Sequence, residues 1–182
     1  MRKLIFSMNL SLDGCADHRV ASADDELHDF STHLMETVDT ILFGRVTYQL
    51  MESYWPHAPD DPQTPRSMVQ FAQKINSMPK IVFSKTLQQV SWTNTQLFQG
   101  DMVREVARMK QAGNGTLSVG GISLIQTLMK ANLVDEYWLL IQPLIWGEGR
   151  RLFDGLDTQH NLRLVETQTF HSGVVVLHYT TS

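Results

Sequence analysis

Short runs that are apolar at both odd and even positions recur along this chain, and each leads into a segment with helical spacing. This alternation constrains the fold more than any other feature. A strand with apolar side chains on both faces has to be covered on both faces, and strands separated by helices pair in parallel through crossovers. Residues Lys3 to Leu12 form the first such run, closed by the turn residues Asp13-Gly14. From Ala23 to Thr37 the period changes: Leu27, Phe30, Leu34 and Val38 recur every three or four residues, with Ser22 as N-cap and Asp24, Asp25 and Glu26 in the first turn. "DTILFGR" is a second buried strand ending at Gly44, and "RVTYQLMESYW" a short helix ended by Pro56.

The pattern continues toward the C-terminus. "PHAPDDPQTPR" carries four of the six prolines and reads as a surface loop without regular structure. Ser67 to Asn76 reads as a helix, "PKIVFS" as a strand and "WTNTQLFQ" as a weaker one. Asp101 caps the helix "MVREVARMKQAG", where Gly113 supplies the left-handed C-cap; the strand "TLSV" and a helix over Ser123 to Ala131 follow. "VDEYWLLIQPLI" is strand-like, and "LRLVETQTFHSGVVVLHYT" a hairpin turning at His171-Ser172-Gly173. The expected architecture is one α/β domain over residues 1–182. Its mostly parallel central sheet is flanked by helices and bordered by an antiparallel C-terminal hairpin.

Charge excludes some partners. A formal net charge of -4, with scattered Lys and Arg, argues against a nucleic-acid binder and against an acidic membrane surface. The single cysteine, Cys15, permits no internal disulfide and suits a reducing compartment. Asn9 and Asp13 interrupt the apolar N-terminus before a secretory core is complete, and no run approaches the roughly 18 apolar residues of a membrane span. A cytoplasmic protein is the expectation.

Three strand ends carry the chemistry. In "ILFGRVTY", Gly44 precedes a helix start bearing Arg45 and Thr47; unpaired N–H groups there suit a phosphate, and the glycine lets it come close. In "VGGIS" the same logic recurs: Gly120 and Gly121 remove two Cβ atoms, and Ile122, Ser123 and Leu124 present successive N–H groups. In "IVFSKTL", Ser84 and Lys85 end a strand on what should be the same sheet edge, where ligands of open α/β sheets bind. Any one of these glycines alone is explained by turning the chain. Together they point to a ligand with more than one phosphate.

The ordered set "SMNLSLDG", "VDTILFGRVTYQLM", "YWP", "KIVFSKTL" and "VGGISLIQTLMKANLVDEYWLLIQPLIWGEGRRLF" resembles stand-alone dihydrofolate-reductase-like proteins related to the reductase domain of bifunctional riboflavin-biosynthesis enzymes. The resemblance runs from Lys3 to the C-terminal hairpin. It implies a dihydrofolate-reductase-like fold and an NADPH site, with Gly44, Arg45, Thr47, Gly120, Gly121, Ile122, Ser123 and Leu124 at the cofactor phosphates and Ser84 and Lys85 at the adenosine 2'-phosphate. It also implies a homodimer, for which an exposed part of the strand bearing Trp138 is a natural interface. Two departures qualify the substrate. Riboflavin-pathway reductases usually carry Glu-Gly-Gly where this chain has Val119, and one cysteine does not supply the ligands of the zinc deaminase half. Dihydrofolate reductases proper place an acid on the first helix; Asp25, Glu26 and Asp29 all compete for that position.

Hydride chemistry asks the protein to hold the nicotinamide near an acceptor and to supply a proton or a polarising hydrogen bond. Asp13 is the catalytic candidate, set against an ordinary Asp-Gly turn. Tyr48 and Trp55 are candidate substrate contacts, set against core packing, and the loop from Pro56 to Arg66 is a candidate cap. No metal is expected: His28 and His33 lie five residues apart and point in different directions on a helix. "GEGRRL" at Gly147 lacks the last glycine of a dinucleotide fingerprint and reads as a turn near the substrate side. The expected function is an NADPH-dependent reductase acting on a small heterocyclic or carbonyl compound. The alternative is a nucleotide-binding protein of the same fold with little catalysis.

Overall fold

Parity along the strands sorts the core into two layers. In β1 (Lys3–Ser11) Leu4, Phe6 and Leu10 join one buried cluster and Ile5 another; in β2 (Thr40–Gly44) Leu42 joins the first, Ile41 and Phe43 the second. The structure, a computed structural model, describes residues 1–21 and 24–182. The remaining strands are β3 (Lys80–Phe83), β4 (Thr95–Phe98), β5 (Thr116–Gly120), β6 (Glu136–Gln142), β7 (Leu162–Thr169) and β8 (Val175–Thr181). They form an 8-stranded sheet in the order β4-β3-β2-β5-β1-β6-β8-β7. Pairing is parallel from β4 to β6, while β8 runs antiparallel to both β6 and β7. This is the expected mostly parallel sheet with its antiparallel hairpin.

The helices are α1 (Asp25–Glu36), α2 (Arg45–Glu52), α3 (Arg66–Ser77), α4 (Met102–Gln111) and α5 (Ile122–Lys130). On the first face Val106 and Met109 of α4, with Leu124, Ile125 and Leu128 of α5, cover Leu4, Phe6, Leu42, Leu117 and Val119. On the second, Leu34 and Met35 of α1, Tyr48 of α2 and Ile75 of α3 cover Ile5, Ile41, Phe43 and Val82. Each large side chain so buried contributes roughly 1.5–3 kcal/mol, so neither layer is dispensable.

Several local expectations shift. Ser22, expected as an N-cap, lies outside the described residues; Asp24, expected inside the first turn, is itself the cap and accepts from Leu27 N at 2.7 Å. Helix α2 stops at Glu52, short of Pro56. Beyond it Asn76 Nδ2 holds the Trp55 carbonyl at 3.0 Å, diverting the chain toward α3. The proline loop is less irregular than expected: Ala58–Asp60 form a 3-10 turn with Ala58 buried. Strand β6 lies between β1 and β8, so both its edges are paired within the sheet. The outer strands are β4 and β7, and β7 exposes Leu164 and Val165. Among the described residues no helix is long and apolar enough to cross a membrane.

Candidate functional site

The carboxyl ends of β3, β2 and β5 lie side by side, with Gly44 opposite Phe83 and Phe43 opposite Gly120. From two of these ends a helix starts directly. Gly44 is the N-cap of α2 and Gly121 that of α5, and neither has a capping side chain. The first-turn N–H groups of both helices therefore lack intrahelical acceptors.

The two entrances touch. A Cβ placed on Gly121 would lie 2.9 Å from Thr47 Oγ1 and 3.6 Å from the Gly44 nitrogen. Gly121 also has φ 121°, which side-chain-bearing residues rarely adopt. A Cβ on Gly120 would press on the Phe43 ring at 3.1 Å. The bare main chain is thus required by both conformation and space. In front of it opens a cleft of about 430 Å³. Gly44, Arg45, Thr47, Gly121, Ile122, Ser123 and Leu124 line it, joined by Phe83, Met102 and Arg150.

Arg45 is exposed, and its Nη1 donates to Gln49 Oε1 at 3.3 Å. Among the described residues no carboxylate pairs with Arg45 or with Lys85. Ser84 and Lys85 follow Phe83, the last residue of β3, and neither is among the residues that line the cleft. The Ser84 hydroxyl accepts from Thr86 N at 3.2 Å and Leu87 N at 3.1 Å, capping its own turn.

Three expected residues have other work. Tyr48 is buried, 1% exposed, because one step along α2 from Thr47 turns it by about 100° toward the sheet. Its hydroxyl donates to Glu52 Oε1 at 2.7 Å and accepts from Ser91 N and Trp92 N, both at 3.1 Å. The structure places it in the core of the second face. Trp55 also misses the cleft: it packs edge-on against Phe71, ring centres 4.8 Å apart, and its Nε1 meets Met51 Sδ. Asp13 accepts from Ser11 Oγ at 2.6 Å and from Trp146 N and Gly147 N at 3.0 Å each. The Ser11 hydroxyl, then the Trp146 N–H, hold its carboxyl well below the usual carboxylate range. It is a fixed anion tying two loops together, unsuited to giving up a proton.

Val119, at the position where the resemblance sets a glutamate, is buried in the first-face core. On α1, Asp25 accepts from Ser67 Oγ and Glu26 from His171 N at 2.8 Å, while Asp29 is exposed. Two groups escaped the sequence reading. Arg150, in the "GEGRRL" turn, reaches the cleft from the segment between β6 and β7; glycines flanking a basic pair were its only signal. Asn9 and Gln142, near the carboxyl ends of the adjacent strands β1 and β6, are joined by a 2.8 Å bond from Gln142 Nε2 to Asn9 Oδ1. Polar residues inside strands gave no hint of that pairing.

A model of the RibD C-terminal domain matches residues 2–176 of this chain. The chain belongs to the RibD C-terminal domain family. This RibD C-terminal domain is 34% identical over 183 residues to the uncharacterized protein YyaP of Bacillus subtilis (strain 168), covering 98% of this chain and 94% of that one. Its fold is similar to a putative riboflavin biosynthesis protein from Shewanella sp. PV-4, with a TM-score of 0.76, 23% identity and 99% of each chain covered. A dihydrofolate reductase from Enterococcus faecalis, complexed with NADP(H), superposes with a TM-score of 0.64 at 14% identity, covering 99% of this chain and 96% of that one. The RibD C-terminal domain thus has the dihydrofolate-reductase-like fold that the motifs implied.

Proposed function

We propose that this RibD C-terminal domain is an NADPH-dependent oxidoreductase that reduces a small heterocyclic or carbonyl compound. The observation carrying this reading is the meeting of Gly121 with Thr47 and Gly44, which opens two uncapped helix entrances onto one cleft. Free N–H groups and two positive helix ends on a common rim match a diphosphate. Arg45, with no carboxylate partner among the described residues, and Lys85 at the next strand end suit the additional phosphate that separates NADPH from NADH. The NADP(H) bound to the similarly folded dihydrofolate reductase supports the same choice.

When bound, NADPH supplies a hydride. This chain's part is to hold and orient. Strands lie about 4.8 Å apart, so the ends of β1 and β6 are one and two steps from the β2–β5 cleft, within reach of an extended dinucleotide. There the Gln142 Nε2 bond to Asn9 Oδ1 leaves the Asn9 amide nitrogen as a donor for a carbonyl or ring nitrogen. Asp13 holds the neighbouring loop in place.

One observation favours a second reading, nucleotide binding without catalysis: the Asp13 carboxylate is already committed and is held ionised. Titrating the protein with NADPH while following cofactor fluorescence tests the shared part of both readings. No binding in the high micromolar range sinks both. Cofactor oxidation with a member of a panel of folates, quinoid pterins and aldehydes supports the reductase, and binding without any turnover supports the second reading.

A further inference from the structure

Arg150 has no role in the scheme above, yet its side chain lines the same cleft. From the segment between β6 and β7 it reaches over the first turn of α5, where Nη1 donates to Ser123 Oγ and Nη2 to Gln126 Oε1, each at 2.9 Å. Both acceptors are neutral. Among the described residues no carboxylate pairs with this guanidinium, so its charge is uncompensated. A guanidinium has five N–H donors, and at least two of Arg150's remain after these contacts.

The backbone carrying Arg150 is pinned from two directions. Ala16 N donates to the Arg150 carbonyl at 2.9 Å and Leu152 N to the Gly14 carbonyl at 3.0 Å, pairing the two loops antiparallel. Asp13 clamps the same loop a turn earlier through Trp146 N and Gly147 N. Gly147 and Gly149, with φ 78° and 89°, make the tight bend between the clamp and Arg150.

We propose that Arg150 is an anion-binding residue for the diphosphate at the α5 entrance, and that Asp13 is the positioning residue that sets it there; this rests on reading the cleft as a dinucleotide site. Arg150 stands on the α5 side of the cleft, across from Arg45 on α2. It therefore serves the diphosphate common to NADPH and NADH, not the extra phosphate of NADPH.

The experiment is a fluorescence titration of the full chain with NADPH and with NADH, using wild type, Arg150→Ala, Arg150→Lys, Asp13→Asn and the Asp13→Asn/Arg150→Ala double variant. Losing one charge-assisted contact weakens binding about tenfold, and here both cofactors weaken alike, so their affinity ratio is unchanged. Lysine restores part of the loss, keeping the charge without the fork. Asp13→Asn weakens both cofactors in the wild-type background and adds nothing in the Arg150→Ala background, because its effect passes through that side chain. Wild-type affinity in a folded Arg150→Ala overturns the Arg150 assignment, as does a loss confined to NADPH. A further loss in the double variant overturns the positioning role of Asp13. Wild-type protein that binds neither cofactor overturns the dinucleotide reading itself, a result distinct from the other two.

Discussion

Gly121 and Thr47 meet so closely that a Cβ on the glycine would stand 2.9 Å from the threonine hydroxyl oxygen. This contact joins the entrance of α5 to that of α2, and it makes one rim out of two strand ends that are 77 residues apart along the chain, Gly44 and Gly121. The glycine also carries a backbone angle, φ 121°, that other residues adopt only at a cost.

Gly121→Ala therefore lowers stability as well as binding. Strained backbone of this kind costs about 1–3 kcal/mol, and displacement of Thr47 adds to it. Urea unfolding is expected to show a loss of about 2 kcal/mol or more, with NADPH affinity falling in the fraction that folds.

Arg45→Ala is expected to weaken NADPH about tenfold and NADH much less, since the extra phosphate is what an exposed cation on this side of the cleft addresses. Raising the salt shrinks the difference, because an exposed charge is screened. Parallel titrations with the two cofactors check it, and equal losses would remove Arg45 from that role.

Tyr48→Phe separates core from site. The ring stays in place, but the N–H groups of Ser91 and Trp92 lose their shared acceptor and Glu52 loses a donor. Stability is expected to fall by about 1–3 kcal/mol, as for a buried polar group left unpaired. Cofactor affinity in the folded variant stays at the wild-type value, measured by the same titration.

Asp13 gives an acid dependence with a definite sign. The Ser11 hydroxyl, followed by the Trp146 N–H, lowers its folded pKa, while the unfolded chain returns it to about 3.9. The unfolded state thus takes up the proton first as the pH falls. The stabilisation from this group is present in full above about pH 4 and is lost progressively below it. Asp13→Asn removes that component, so its acid unfolding profile, followed by circular dichroism, is expected to be flatter than that of the wild type.

What the sequence by itself determined is local and periodic. The parity of Leu4, Ile5 and Phe6 specified a strand covered on both faces; the spacing of Leu27, Phe30 and Leu34 specified the helix over it; and the glycines at 44, 120 and 121 marked the two bare helix entrances. These follow from relationships within a few residues, which a strand period of 2 and a helix period of 3.6 make visible. Strand order decided the rest. Asp13 meets Trp146 across 133 residues only because β1 lies beside β6, and Arg150 reaches Ser123 only because the loop after β6 folds back over α5. The partners of the Tyr48 hydroxyl are decided in the same way: Ser91 N and Trp92 N, far along the chain, come to it. A side chain's partner at such a distance is set by how the layers pack, and no local period encodes it.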